Sequence, residues 1–471
     1  MTQSGTGLQA AYEGAWKATN TGIWRDTMKF MRKAATALAL GTALFAAPAM
    51  ADNAEIAAAV EADYDAYLDD LFVHFHQNPE LSFLETNTAA RMAAELRAVG
   101  LDVTENVGGT GVVGMLRNGD GPLILLRADM DGLPVEEKSG LDYASTAKQV
   151  GQDGEEYSVM HACGHDVHIT SMVGTARRLM AMKDDWSGTI MFVVQPAEER
   201  VGGAKAMMAD GLYERFGKPD YALAFHVASV IPTGIVTASE GIQYSSADSV
   251  DIMVPGIGAH GASPHAGRDP VYIGSQIVTA LQSIISREVM PLSPGVITVG
   301  AFHAGSKHNI ISDRADLQLT VRANDERVRE QLLAAIERVA VNVGRAHGLP
   351  EDMLPQVTVT EGTPVTYNDP ALAKRLNGVM RETFGAENVP PFEQRGMGAE
   401  DFAYFVAEDT GVPGYYFAVG GTPMEAFEAA ANGGPPVPSH HSPLSKVAPR
   451  ESVTVGTRAM IAAVLDLAPS R

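Results

Sequence analysis

Three short stretches set the architecture. Leu123–Leu126, Ile190–Val194 and Tyr221–Phe225 are continuous apolar runs with no polar residue in alternation. Strands of that kind are buried on both faces, which a parallel sheet covered by helices requires. The segments between them carry helical spacing, so the chain reads as α/β: a mostly parallel sheet with helices on both faces. Helices are also predicted at 55–77, 85–99 (ending at Gly100), 168–182, 369–384 and 450–467, and strands at 103–107, 112–116 and 415–419. After Gly241 the order changes. Strand 249–254, helix 270–289, strands 296–303 and 315–322, helix 325–347 and a strand near 356–360 read as an inserted ferredoxin-like α+β module. A chain of 471 residues accommodates that division. The expected domains are 52–241 joined with 363–471, and 242–362.

The first 51 residues are set apart. From Met28 a basic stretch, Lys29 to Lys33, precedes an apolar run over 34–47 and a small-residue site at Ala49-Met50-Ala51. That order is a cleavable signal peptide, with cleavage near Ala51/Asp52 and a periplasmic or secreted product. Residues 1–27 are expected to be a spurious extension ahead of a start at Met28 or Met31. Cys163 is the only cysteine, so it forms no intramolecular disulfide and is free, buried or metal-bound. The net charge of −22 excludes nucleic acid and anionic membrane surfaces as partners. An anionic small molecule stays open, because a local cation dominates the field of a site.

The polar residues that matter follow the apolar runs. Asp129, Glu198 and Glu199, and His226 are each expected just beyond the carboxyl end of a buried strand, where sites form in open α/β sheets. His161-Ala-Cys-Gly-His-Asp-Val-His168 adds three of the thirteen histidines and the cysteine within eight residues. Cys163, His165, Glu199, His226 and either His440 or His441 form a thiolate, imidazole and carboxylate set. It suits zinc, manganese, cobalt or nickel rather than calcium or magnesium. Five ligands exceed the need of one four-coordinate ion, and a thiolate can bridge, so two divalent ions are expected. In the Glu198-Glu199 pair one carboxylate then binds metal and the other handles the proton of an attacking water.

These residues resemble the metal-dependent amidohydrolases and peptidases of the aminoacylase/carboxypeptidase type. The branch is that of hippurate hydrolase, N-acyl-amino-acid amidohydrolase and indole-acetyl-amino-acid hydrolase. The resemblance is carried by His76-Gln-Asn-Pro-Glu-Leu-Ser82, Leu126-Arg-Ala-Asp-Met-Asp-Gly-Leu-Pro134, His161–Asp166, Gln195-Pro-Ala-Glu-Glu199, Phe225-His-Val227, Gly398-Ala-Glu-Asp-Phe402 and His441-Ser-Pro443. It implies metal ligands at Cys163 (bridging), His165, Glu199, His226 and His441, and Glu198 as general base and acid. Asp129 stands where the wider superfamily has a histidine ligand, with His165 doing that job. Asp129 and Asp131 then support the ligands from behind. The insertion resembles a lid and dimerisation domain, in a homodimer or homotetramer. Its His260, with His265 the alternative, would stabilise a developing oxyanion. Asn309 and Arg322 would hold a substrate carboxylate. The segment before Asn309, and Ser445-Lys446-Val447 after the last motif, depart from the family pattern.

The implied activity is hydrolysis of the amide bond of N-acyl amino acids. Three alternatives stand beside it. One is a dipeptidase or carboxypeptidase using the same site. Another is a non-catalytic periplasmic binding protein, which would not need Glu198. The third is a hydrolase with Cys163 as nucleophile.

Overall fold

The structure is a computed structural model and describes residues 53–392, 394 and 396–470. The extension and signal segment expected at 1–51 lie outside the described residues. The first helical rod comprises α1 (Asn53–Asp63), a π-helical turn (Tyr64–Leu68) and α2 (Asp69–Gln77). Its Ile56, Val60, Tyr64, Leu68 and Leu71 are buried. Helix α3 (Thr86–Val99) stops at Gly100, whose φ of +99° lets its N–H cap the carbonyls of Leu96 and Arg97.

The main sheet is built from β1 (Asp102–Val107), β2 (Gly111–Asn118), β3 (Leu123–Asp129), β4 (Gly188–Gln195), β5 (Tyr221–Pro232), the short β6 (Val236–Thr237) and, much later, β11 (Gly414–Thr422). The spatial order is β1-β2-β4-β3-β5-β11-β6. The inner pairs β4/β3, β3/β5 and β5/β11 are parallel, and the flanking pairs are antiparallel. Helix α4 (His165–Ala181) makes the crossover from β3 to β4. With α3, α7 (Pro370–Phe384) and α8 (Pro449–Leu467) it covers one face of the sheet. Short helices at Gly203–Ala209 and Leu212–Phe216, with Phe402 and Phe405, cover the other. This is why Leu125, Met191, Val193 and Ala224 find apolar neighbours on one side and Leu126, Phe192 and Phe225 on the other.

Residues 246–363 form a separate sheet. It uses β7 (Ser246–Pro255), β8 (Gly295–Ala304), β9 (Arg314–Ala323) and β10 (Gln356–Thr363) in the order β8-β9-β7-β10, all antiparallel. Helices α5 (Pro270–Arg287) and α6 (Glu326–Ala346) pack on it around a core of their own. Asp269, Asp325 and Asp369 each cap the helix that follows by accepting amides of its first turn.

Two sequence expectations are corrected. Helix α4 begins at His165 rather than His168. The left-handed Gly164 turns the chain directly into the helix, so His165 is already its first residue. His226 lies inside β5 rather than beyond its end. Pairing with β3 stops at Ala224, but β5 continues beside β11 as far as Pro232.

Candidate active site

The carboxyl edge of the parallel strands gathers the sequence-predicted donors. The thiol of Cys163 and a ring nitrogen each of His165 and His226 lie within 4.8 Å of one another, as do donor atoms of Cys163, Glu199 and His441. Cys163 is common to both groups. Its Sγ is 3.4 Å from His226 Nε2, and His441 Nε2 is 3.4 Å from Glu199 Oε1. Glu198 Oε2 and Glu199 Oε1 are 3.9 and 4.0 Å from His165 Nε2.

Hydrogen bonds aim these rings. His165 Nδ1 donates to the carbonyl of Asp131 at 2.8 Å, and His226 Nδ1 donates to the carbonyl of Val227 at 2.6 Å. Each imidazole thus turns Nε2 toward the cluster. Among the described residues neither His165 Nε2 nor Glu199 Oε1 has a hydrogen-bond partner, although both atoms are buried. Unpartnered buried polar atoms on a convergent sulfur, nitrogen and oxygen donor set fit a divalent transition-metal ion.

The electrostatics agree. Burial would depress the His165 pKa, but the carboxylates of Asp129, Asp131 and Glu199 outweigh it and raise it to about 10. The pocket therefore attracts positive charge. Burial, then Glu199, Glu198 and Asp129, push the Cys163 thiol well above its ordinary range. Such a thiol is a poor nucleophile without a cation beside it, which weighs against Cys163 as the attacking group. Burial, then Glu400, Glu199 and Asp401, likewise push the Glu198 carboxyl well up.

Asp131 organises the site from below. It accepts the backbone amides of Glu198 (3.1 Å) and Glu199 (3.0 Å) and the hydroxyl of Ser82 (2.7 Å), and its Oδ1 is 3.2 Å from His165 Nδ1. Asp129 takes a different part. Its Oδ1 accepts His168 Nδ1 at 2.5 Å, and its Oδ2 is 2.6 Å from Arg127 and 3.7 Å from His165 Nε2. His168 Nε2 in turn accepts the amide of Val227, next to His226. Gly164 is required between Cys163 and His165: its φ is +85°, and a Cβ there would meet Val227 Cγ1 at 2.4 Å. Ala197 (φ 48°) and Val201 (φ 45°) bracket Glu198–Arg200 in the left-handed region, and His441 (φ 64°) shares it. Each costs about 1–3 kcal/mol, strain that persists only where the surroundings hold it.

The choice between the late histidines is plain. His440 is half-buried, and its Nε2 accepts the amide of Ser229 at 3.0 Å. His441 faces Glu199. Among the described residues the lid candidates make no hydrogen bond or ion pair with the cluster. His260 and Asn309 are exposed and adjacent to each other, joined by the amide of Gly261 donating to the carbonyl of Asn309 at 2.8 Å. His265 is exposed too. Arg322 is half-buried and donates to the Thr320 hydroxyl at 3.2 Å, with no carboxylate in ion-pair contact among the described residues. Burial depresses its pKa.

Sequence reasoning missed the buried charge network under the cluster. The fully buried Arg127 guanidinium contacts Asp129, Glu400 (2.8 Å), Asp401 (3.2 Å) and Gln195 (2.8 Å). Tyr416 donates its hydroxyl to Glu400. It also missed His76, whose Nδ1 and Nε2 lie 2.7 Å from Asp166 and 3.2 Å from Glu137. The motifs containing His76, Arg127 and Glu400 were visible; their partners were not.

Residues 125–432 match the description of peptidase family M20/M25/M40. The chain is 38% identical over 331 residues to the hippurate hydrolase of Campylobacter jejuni, covering 70% of this chain and 82% of that one. It is 36% identical to thermostable carboxypeptidase 2 of Saccharolobus solfataricus, covering 73% and 83%. Among solved structures, the Bacillus subtilis YXEP protein, described as a dinuclear metal binding peptidase from the M20 family, superposes with a TM-score of 0.68. It is 25% identical, over 86% of this chain and 98% of that one.

Proposed function

The chain belongs to peptidase family M20/M25/M40, and on that premise we propose that it hydrolyses the amide bond of N-acyl amino acids, releasing a carboxylate and a free amino acid. The observation that carries this is the convergence of Cys163, His165, Glu199, His226 and His441, with the Glu198 carboxylate beside them, 3.9 Å from His165 Nε2. Two divalent ions from zinc, manganese, cobalt or nickel would be held by those five residues, with Cys163 shared. When bound, they supply Lewis acidity toward the amide carbonyl and lower the pKa of an attacking water. Glu198 takes the proton of that water as its oxygen attacks the carbonyl carbon. The same carboxyl then delivers the proton to the nitrogen as the C–N bond breaks. Asp131 keeps Glu198 and Glu199 apart in role by fixing both amides.

The 246–363 module acts as a lid in this reading. Its closure, or a second copy of the chain, brings His260 to the developing oxyanion and Asn309 and Arg322 to the substrate carboxylate. The guanidinium of Arg322, which has no carboxylate in ion-pair contact among the described residues, supports that assignment. A homodimer or homotetramer and a periplasmic or secreted location complete the proposal. No described helix is long and apolar enough to cross a membrane.

The carboxypeptidase relative favours a second reading, in which the same site cleaves a C-terminal peptide bond. A panel of N-benzoyl, N-acetyl and indole-acetyl amino acids and of dipeptides separates the two. Activity is expected to vanish on chelation and return with added metal. Glu198→Gln is expected to lower kcat by about 10²–10⁴-fold with metal content unchanged. Near-normal turnover by that variant would sink the base assignment.

A further inference from the structure

The turn that carries Glu198 and Glu199 is held by a residue outside the family match. Glu85 lies just before α3, and its side chain is fully buried. Its Oε1 accepts the amide of Ala197 at 2.8 Å and that of Phe83 at 2.9 Å, and its Oε2 accepts the hydroxyl of Thr110 at 2.6 Å. Asp131 takes the next two amides, those of Glu198 and Glu199. Three successive N–H groups therefore end on two buried carboxylates. Ala197 is the first of them and is the residue forced into the left-handed region.

We propose that Glu85 is a positioning residue for hydrolysis: it holds Ala197 left-handed so that the next two side chains diverge, Glu198 to the water and Glu199 to the metal. This rests on the reading of Glu198 as proton acceptor. The N-terminal segment has a second hand in the turn. Ser82 bonds Asp131, and the ring of Phe83 lies against Gly202, where a Cβ would come within 3.2 Å of it. A carboxylate serving only to fill the core would gain nothing from this placement. Burial and the neighbouring Asp131 charge push its pKa up to about 7.

The test compares Glu85→Ala, Glu85→Gln and Glu85→Asp in the full protein. Glu85→Gln keeps an oxygen for both amides and an amide group for the Thr110 hydroxyl, so kcat within about threefold of wild type is expected. Glu85→Ala is expected to lose about 10–100-fold in kcat at saturating cobalt, with KM little changed, and about tenfold in cobalt affinity read by titration. Circular dichroism reports whether it folds. Should it not fold, Glu85→Asp, one methylene short of Ala197, carries the same expectation. Ala197→Gly removes the need to hold a side chain left-handed, so in that background the Glu85 substitution is expected to cost several-fold less.

Full kcat and cobalt affinity in Glu85→Ala or Glu85→Asp would overturn the inference. So would effects of Glu85 and Ala197 that simply multiply. Glu198→Gln run in parallel separates the two readings. If it stays active, the base assignment fails; if it is inactive while the Glu85 variants are normal, only the positioning role fails.

Discussion

Replacing Arg127 by Met tests the buried charge network most directly. The guanidinium has no exposed surface and touches three carboxylates: Asp129, Glu400 and Asp401. Methionine fills much of the volume but leaves those carboxylates without their cation. Breaking one buried pair costs about 3–5 kcal/mol, and three partners lean on this residue, so a loss at the upper end is expected near pH 8. The pH dependence supplies a second check. Burial pushes the Asp129 pKa up, but Arg127 above all, with His165 and His168, pulls it well below the ordinary carboxylate range. Its stabilising contribution is thus present above about pH 4 and lost below. Without Arg127 the folded variant retains protons that the wild type releases. Its deficit should therefore widen as pH rises and shrink toward pH 5. Urea unfolding followed by the fluorescence of Trp186, buried against the main core, measures both. A deficit under about 1 kcal/mol, or one that does not change with pH, would refute the reasoning.

Other expectations follow from the same geometry. Burial lowers the His76 pKa, but Asp166 and Glu137 outweigh it and raise it to about 9. Its contribution should be full below about pH 6.5 and lost as pH rises through 9. His76→Gln is therefore expected to be about 1–3 kcal/mol less stable than wild type at pH 6 and to converge with it above pH 9, read by urea unfolding. Gly164→Ala combines a positive φ with a clash on Val227 and should reduce bound metal, measured by elemental analysis, well below that of wild type. His441→Ala should lower metal affinity about tenfold or more, whereas His440→Ala should keep metal and lose stability; the reverse pattern would exchange their roles.

Much of this molecule was legible before its structure. A strand covered on both faces has no room for polar residues, so Leu123–Leu126, Ile190–Val194 and Tyr221–Phe225 had to lie inside a parallel sheet. The helices expected at 270–289 and 369–384 are present, and the structure starts each at an Asp-Pro pair, where proline suits the first turn and aspartate its orphan amides. The donor set was legible too, because few chemistries use a cysteine, imidazoles and paired carboxylates together. Periodicity, however, is local and says nothing of pairing across long separations. Arg127 meets Glu400, 273 positions away, and Ala197 meets Glu85, 112 positions back. No pattern in either segment announces these partners. The length of β5, and with it the place of His226, was decided by β11, which runs alongside it from the far end of the chain. His440 and His441 are chemically alike, and only the path of the backbone sends one ring to the amide of Ser229 and the other to Glu199.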